Sequence, residues 1–199
     1  MDKLIVCATA YRKLINPRYH CVIGRKGIKR EFVIGFSPYE FHHLCGLLKL
    51  PDIPALRGNR ERVYKDILSG KITYEMISKS ISFNLISDRL TYLSRLEEFL
   101  DSNLIIFSYD KRNSKASRIE AKYLLQNTID NEVVYFFIGE HEHDETLMGI
   151  SFFVKDKLDY SAAQPRWTLL HKSKKFLDTD SVFVQYDRVK ENRQVQGQI

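Results

Sequence analysis

Two histidines stand side by side in the stretch from Ser37 to Leu50. Histidine is the side chain best suited to moving protons near neutrality, its ordinary pKa being about 6.5. Helical spacing sets the two apart. At 100° per residue Phe41, Leu44, Cys45, Leu47 and Leu48 form one apolar stripe. His42 then falls on the polar side beside Lys49, and His43 falls at the edge of the stripe, between Leu47 and Leu50. His43 is therefore the candidate general acid or base. The plainer reading is that it caps the core and bonds a loop carbonyl, as most partly buried histidines do. Gly46, three residues on, leaves room beside it for another backbone or a ligand.

A second constellation is spread along the C-terminal half: Ser151, Asp159-Tyr160-Ser161, Gln164, and the run His171-Lys172-Ser173-Lys174-Lys175. Neighbouring strands would put Ser151 and the polar residues near Gln164 on one sheet face, with Lys172 at its rim. Such a face suits RNA. Cleavage without a metal uses the 2′-hydroxyl as internal nucleophile and needs a base, an acid and cations around the pentavalent phosphate. The plainer alternative makes Ser151 a packing residue and the lysines a solvated strand end. Arg25 and Lys26, with Lys29 and Arg30, make a basic hairpin tip that could meet a phosphate backbone or simply be solvated. Arg89 is a phosphate ligand or one member of a surface ion pair with Asp88, Glu97 or Glu98. Gly139 to Glu145 holds two histidines and four carboxylates, but on a hairpin turn it reads as a solvated loop, and no metal is assigned. Walker, G-x-G-x-x-G, H-E-x-x-H and G-x-S-x-G motifs are absent.

The elements that must position these residues follow from periodicity. Helices are expected over 2–15, over 38–50 with Ser37 and Glu40 as a capping box, over 59–69, from Thr73, and over 83–101. Strands are expected over 19–24, 28–36, 104–109, 118–126, 132–138, 148–154, 166–171 and 181–186. The segment EVVYFFI, residues 132–138, is nearly all apolar and should be a central strand covered on both faces. In 148–154 strict alternation puts Met148, Ile150, Phe152 and Val154 on one face.

The 199 residues are 44% hydrophobic and 28% charged, ordinary for a globular protein. No run approaches the roughly 20 apolar residues of a membrane span, and the N-terminus lacks the pattern of a signal peptide. Three cysteines without paired spacing argue against a disulfide framework or structural zinc, and make a reducing cytoplasm the expected location. A net charge of +6 favours anionic partners, nucleic acid first.

The order of segments resembles the fourth, phage-associated subgroup of the barnase/EndoU/colicin/RelE-like (BECR) nucleases. The resemblance rests on Phe41-His42-His43-Leu44-Cys45-Gly46-Leu47 with Pro51-Asp52-Ile53, and on Gly70-Lys71-Ile72-Thr73, Lys79-Ser80 and Asp88-Arg89-Leu90. It continues in Ser151-Phe152-Phe153 and in Asp159-Tyr160-Ser161 with Gln164. It implies a metal-independent ribonuclease, often a toxin or phage-conflict effector, with no cofactor. His43 matches the histidine of H-L-x-G, Ser151 the serine of S-F-F, and Gln164 the glutamine after D-Y-[ST]. Ser80 and Arg89 match helical positions, and Tyr160 lies within D-Y-S. Lys172 is assigned only by charge and nearness.

The expected fold is α+β, N-terminal helices packed against a curved antiparallel β-sheet. One domain is expected over 1–190, with 59–102 as a helical insertion in the alternative, and a polar tail over 191–199. The expected function is RNA cleavage to a 2′,3′-cyclic phosphate. His43, Ser151, Gln164 and Lys172 would serve catalysis, and Arg89, Ser80, Arg25, Lys26 and Tyr160 would bind substrate. RNA is the expected partner, with a cognate inhibitor protein implied by the resemblance, and no membrane. The rival readings are a non-catalytic RNA-binding or protein-interaction module of the same fold, and a metal-dependent nuclease built on the His141–Glu145 loop.

Overall fold

The computed structural model describes residues 1–114, 117–141 and 144–190, without the side chains of 141, 144 and 145. The polar tail and the centre of the Gly139–Glu145 loop lie outside these residues. Helix α1, Lys3–Arg12, begins where Asp2 Oδ1 accepts the N–H groups of Leu4 and Ile5 at 2.8 and 3.0 Å. The other oxygen of Asp2 accepts the Tyr74 N–H at 2.7 Å, so one carboxylate ties down the starts of two helices. Strands β1, Pro17–Arg25, and β2, Ile28–Ile34, form a hairpin whose turn places Lys26 and Gly27 at φ +49° and +79°.

Helix α2 covers Pro38–Leu44 and stops earlier than its apolar stripe suggests. Glu40 accepts the Ser37 N–H at 2.8 Å and the Ser37 hydroxyl at 3.1 Å, which fixes the start. At the other end Gly46 takes φ +82°, and Leu47–Lys49 forms a separate single turn. A Cβ on Gly46 would lie 2.8 Å from Ile86 Cγ2 and 3.1 Å from Arg89 Cδ, so the turn makes room for side chains of a later helix. Next come α3, Arg60–Leu68, and α4, Tyr74–Ser78, each capped by the side chain before it, Asn59 and Thr73. The long helical pattern of 83–101 is broken into α5, Ser87–Leu93, and α6, Leu96–Asp101. Arg95, at the break, is held by Glu98 and Asp130, and the bend lets Leu90, Leu93, Leu96 and Leu100 all reach the core.

The remaining strands are β3, Ile105–Ser108; β4, Tyr123–Ile129; β5, Glu132–His141; β6, Asp144–Val154; β7, Arg166–Phe176; and β8, Val182–Asp187. Their order is β1-β2-β6-β5-β4-β3-β7-β8, and β1 also pairs with β7 from Pro17↔Phe176 to Gly24↔Thr168. Seven strands therefore close on themselves, and β8 lies outside along β7. The β2–β6 contact, Ile34↔Leu147, is parallel, and the other pairings are antiparallel.

This closure corrects the expected fold class. The structure is a mixed β-barrel of seven closed strands with short helices, not N-terminal helices packed against a curved antiparallel sheet. The reason is long-range pairing. Strand β1 shares one edge with its hairpin neighbour and the other with a strand some 150 residues later, and alternation along either segment is blind to that partner.

In β5 Val134, Tyr135, Phe136, Phe137 and Ile138 are all fully buried. Val134, Phe136 and Ile138 join the main core, which also takes in Phe41, Ile67, Leu90 and Phe99. Tyr135 and Phe137 join a second, aromatic cluster with Phe107, Tyr109 and Leu124. Both faces of the strand are thus covered, as its composition indicates.

Candidate active site

The site is built along β6. Its pairing with β5 runs Phe136↔Phe152, Phe137↔Ser151 and then Ile138↔Gly149, so Ile150 is an extra residue in a bulge. The bulge breaks the expected alternation. Ile150 packs with the aromatic cluster, while Phe152 and Val154 stay with the main core. Gly149 is turned towards α2, and a Cβ there would lie 2.9 Å from Phe136 Cε2 and 3.0 Å from Leu44 Cδ1. The missing side chain lets α2 press against the strand.

That approach brings His43 Nε2 to 2.8 Å from the carbonyl oxygen of Gly149. A carbonyl can only accept, so Nε2 carries the proton and Nδ1 keeps the lone pair of a neutral ring. Burial holds the His43 pKa below its ordinary 6.5, the Gly149 bond opposes that, and the charges of Arg60 and His42 add to it. A neutral, half-buried imidazole with one free lone pair can act as a general base near pH 7.

Arg89, on α5, reaches the same strand past the end of α2, where its Cδ would lie 3.1 Å from a Cβ on Gly46. Its guanidinium lies 5.4 Å from the centre of the Phe153 ring. Among the described residues it makes no ion pair: Glu98 is taken by Arg95, Glu97 by Lys174, and Asp88 meets Ser87. Burial lowers its pKa, and Cys45 and Tyr160 are close enough to oppose that. Lys49 is near enough to feel the Arg89 charge, which together with burial lowers its own pKa. Tyr160 packs edge-on against Phe153 at 5.5 Å and against Phe137 at 5.3 Å. Ser151, half-buried, shares a strand face with Phe153 two residues on. Of the residues singled out in the sequence, His43, Arg89, Tyr160 and Ser151 thus gather around β6. A base, an uncompensated cation with a second beside it, and polar groups on an aromatic platform are parts that could act on a phosphodiester.

Other residues lie apart from this group. Lys172 is fully buried, and its ammonium donates to the carbonyls of Leu100, at 2.7 Å, and Ser102, where α6 ends. Burial pushes its pKa down to about 8. It stands on β7, which round the barrel is separated from β6 by β1 and β2. Gln164 is buried and clamps the Asp110 backbone, accepting its N–H at 2.9 Å and donating to its carbonyl at 3.0 Å. Ser80 donates to Asp52 at 2.6 Å and ties the loop after α4 to the segment behind Pro51. Arg25 and Lys26 flank the β1–β2 turn, beside a cavity of about 340 Å³ that Arg188 also lines.

His42 corrects its helical-wheel assignment. It is 3% exposed, not solvated, because the turn at Gly46 folds the Pro51–Leu56 segment back over α2. Its Nε2 lies 3.0 Å from the Leu56 carbonyl oxygen. Sequence reasoning passed over Lys49 and Arg60 as chemistry. Gly149, a glycine inside a strand pattern, was a signal of close approach that could have been used.

No group of three or more metal-ligating side chains occurs among the described residues, and none of their helices is long and apolar enough to cross a membrane. Comparison with curated proteins and with solved structures gives no match. Residues 3–189 match the family described as phage-Barnase-EndoU-ColicinE5/D-RelE like nuclease4. The match covers nearly the whole chain and includes every residue gathered around β6, and the chain accordingly belongs to this phage-related family of nucleases.

Proposed function

We propose that the protein is a metal-independent endoribonuclease that cleaves RNA by internal transesterification. The observation that carries this reading is that β6 is met both by a neutral histidine whose Nε2 is already committed and by an arginine that has no carboxylate partner among the described residues. His43 Nδ1 takes the proton of a ribose 2′-hydroxyl. The 2′-oxygen bonds to the adjacent phosphorus, the bond from phosphorus to the 5′-oxygen breaks, and a 2′,3′-cyclic phosphate is left. Arg89 and Lys49 offset the charge that grows on the equatorial phosphate oxygens. The ammonium of Lys49, made more acidic by burial and by Arg89, is the proton source for the departing 5′-oxygen. Ser151 and Tyr160 orient the strand. Lys172 and Gln164 act by positioning, one at the end of α6 and the other on the 110 loop.

A toxin or phage-conflict role, with a cognate inhibitor protein, remains part of this reading and is tested by co-expression with neighbouring reading frames. A second reading, an RNA-binding module, is favoured by the basic turn of Arg25 and Lys26 with Arg188 beside it. The deciding experiment is cleavage of a mixed tRNA and mRNA pool in excess EDTA, with wild type and His43→Ala compared. Cleavage by folded wild type alone supports the nuclease reading. Salt-sensitive binding without cleavage by either protein supports the module.

A further inference from the structure

A cavity of about 580 Å³ lies between α2, the loop over 50–58 and the start of α3. Its floor is apolar, made by the buried side chains of Leu47, Leu50 and Leu56, and its rim carries Arg57 and Arg60. None of the lining residues is acidic. His42 lines it too. The His42 Nε2–H is spent on the Leu56 carbonyl, so Nδ1 holds a lone pair, and that atom is buried with no hydrogen-bond partner. An unmet acceptor at this depth is costly unless something supplies a donor. The space far exceeds what one water fills and falls in the range of small-ligand pockets. Arg60 lies with its guanidinium 4.6 Å from the centre of the exposed Tyr39 ring, and its charge is felt by both His42 and His43.

We propose that this cavity is a nucleobase subsite. A base of the RNA strand enters it and displaces the side chains that cover His42 Nδ1, so that its edge N–H donates there, and the phosphate beside that base rests on Arg60 and Arg57. The inference builds on the ribonuclease reading and deepens it: Arg60 stands close to both histidines, so a strand anchored by one base here passes its next phosphodiester towards His43. The stripe of flat apolar wall, one acceptor and two cations is the chemistry of a nucleotide, and an anion alone would leave both the floor and the acceptor unused.

The test is titration of the intact protein with each of the four nucleoside 5′-monophosphates, and with inorganic phosphate, followed by amide chemical shifts. His42→Gln can keep a donor to the Leu56 carbonyl but has no lone pair at the Nδ1 position. It should weaken the best-bound nucleotide about tenfold, the size of one lost hydrogen bond, and leave phosphate binding unchanged. Leu48→Trp, at an exposed residue of the mouth, should block nucleotides without touching the core. It keeps the test open if His42→Gln lowers the melting temperature. Nucleotide binding no tighter than phosphate, or unaffected by both substitutions, overturns the subsite. Binding is read without catalysis, so the two readings fail separately. Cleavage with no nucleotide site overturns only this inference, and a nucleotide site without cleavage overturns only the nuclease reading.

Discussion

His43 Nε2 and the carbonyl oxygen of Gly149 meet at 2.8 Å across 106 residues of chain. This contact fixes the tautomer of the histidine and joins α2 to the strand that carries Ser151 and Phe153. The bulge at Ile150 makes it, because without the extra residue Gly149 would face the other side of the sheet.

Gly149→Ala tests that contact. The new methyl would lie within 3.1 Å of Leu44 Cδ2 and closer still to Phe136, so α2 must move off the strand. Overpacking of this kind costs about 1–3 kcal/mol, to be measured by urea unfolding. RNA cleavage should fall further than stability does, since His43 loses its acceptor.

The pH profile of cleavage reports the state of His43. Its pKa is lowered from 6.5, so the basic form is already populated at neutrality, and kcat/KM should climb through an acid limb below pH 6.5, level off, and fall again in alkali as Lys49, whose pKa is lowered from 10.5, gives up its proton. Arg60→Gln removes a cation that opposes protonation and should move the limb to higher pH. Replacing His43 itself should cost about 10²–10⁴-fold. Folding is linked in the same direction. Both His42 and His43 have lowered pKa values, the unfolded chain binds more protons below pH 6.5, and stability falls as the pH drops through that window.

Arg89→Met should separate catalysis from folding. The aliphatic chain still covers Phe153, and no ion pair among the described residues is lost. Cleavage should fall about 10²–10³-fold, as when one transition-state donor is removed. The melting temperature should stay or rise, because a half-buried charge has gone.

Lys172→Met should do the reverse. It leaves the Leu100 and Ser102 carbonyls without their donor, at a cost of about 1–3 kcal/mol, with the pH profile of cleavage unchanged. In wild type the pKa is about 8 against an ordinary 10.5. Between those values the unfolded chain holds more protons, so wild type should gain stability relative to the variant as the pH rises, and show a constant difference below pH 8. Unfolding curves at pH 7, 9 and 10 measure this.

Local chemistry was legible in the sequence wherever it acts over a few residues. Ser37 and Glu40 mark the start of α2, Thr73 that of α4, and the apolar run of β5 announces a strand covered on both faces. The family was also readable from ordered short motifs. Tertiary structure alone decided the rest. Closure of the barrel depends on β1 meeting β7, and alternation within a strand does not name its partner. His42 is buried because a turn at Gly46 folds a later loop over it, which a helical wheel cannot include. Lys172 lies far from His43 in the fold although both looked like phosphate chemistry, because its ammonium is drawn to the open carbonyls at the end of α6. Side-chain type sets what a residue can do, and only the path of the backbone sets what it stands beside.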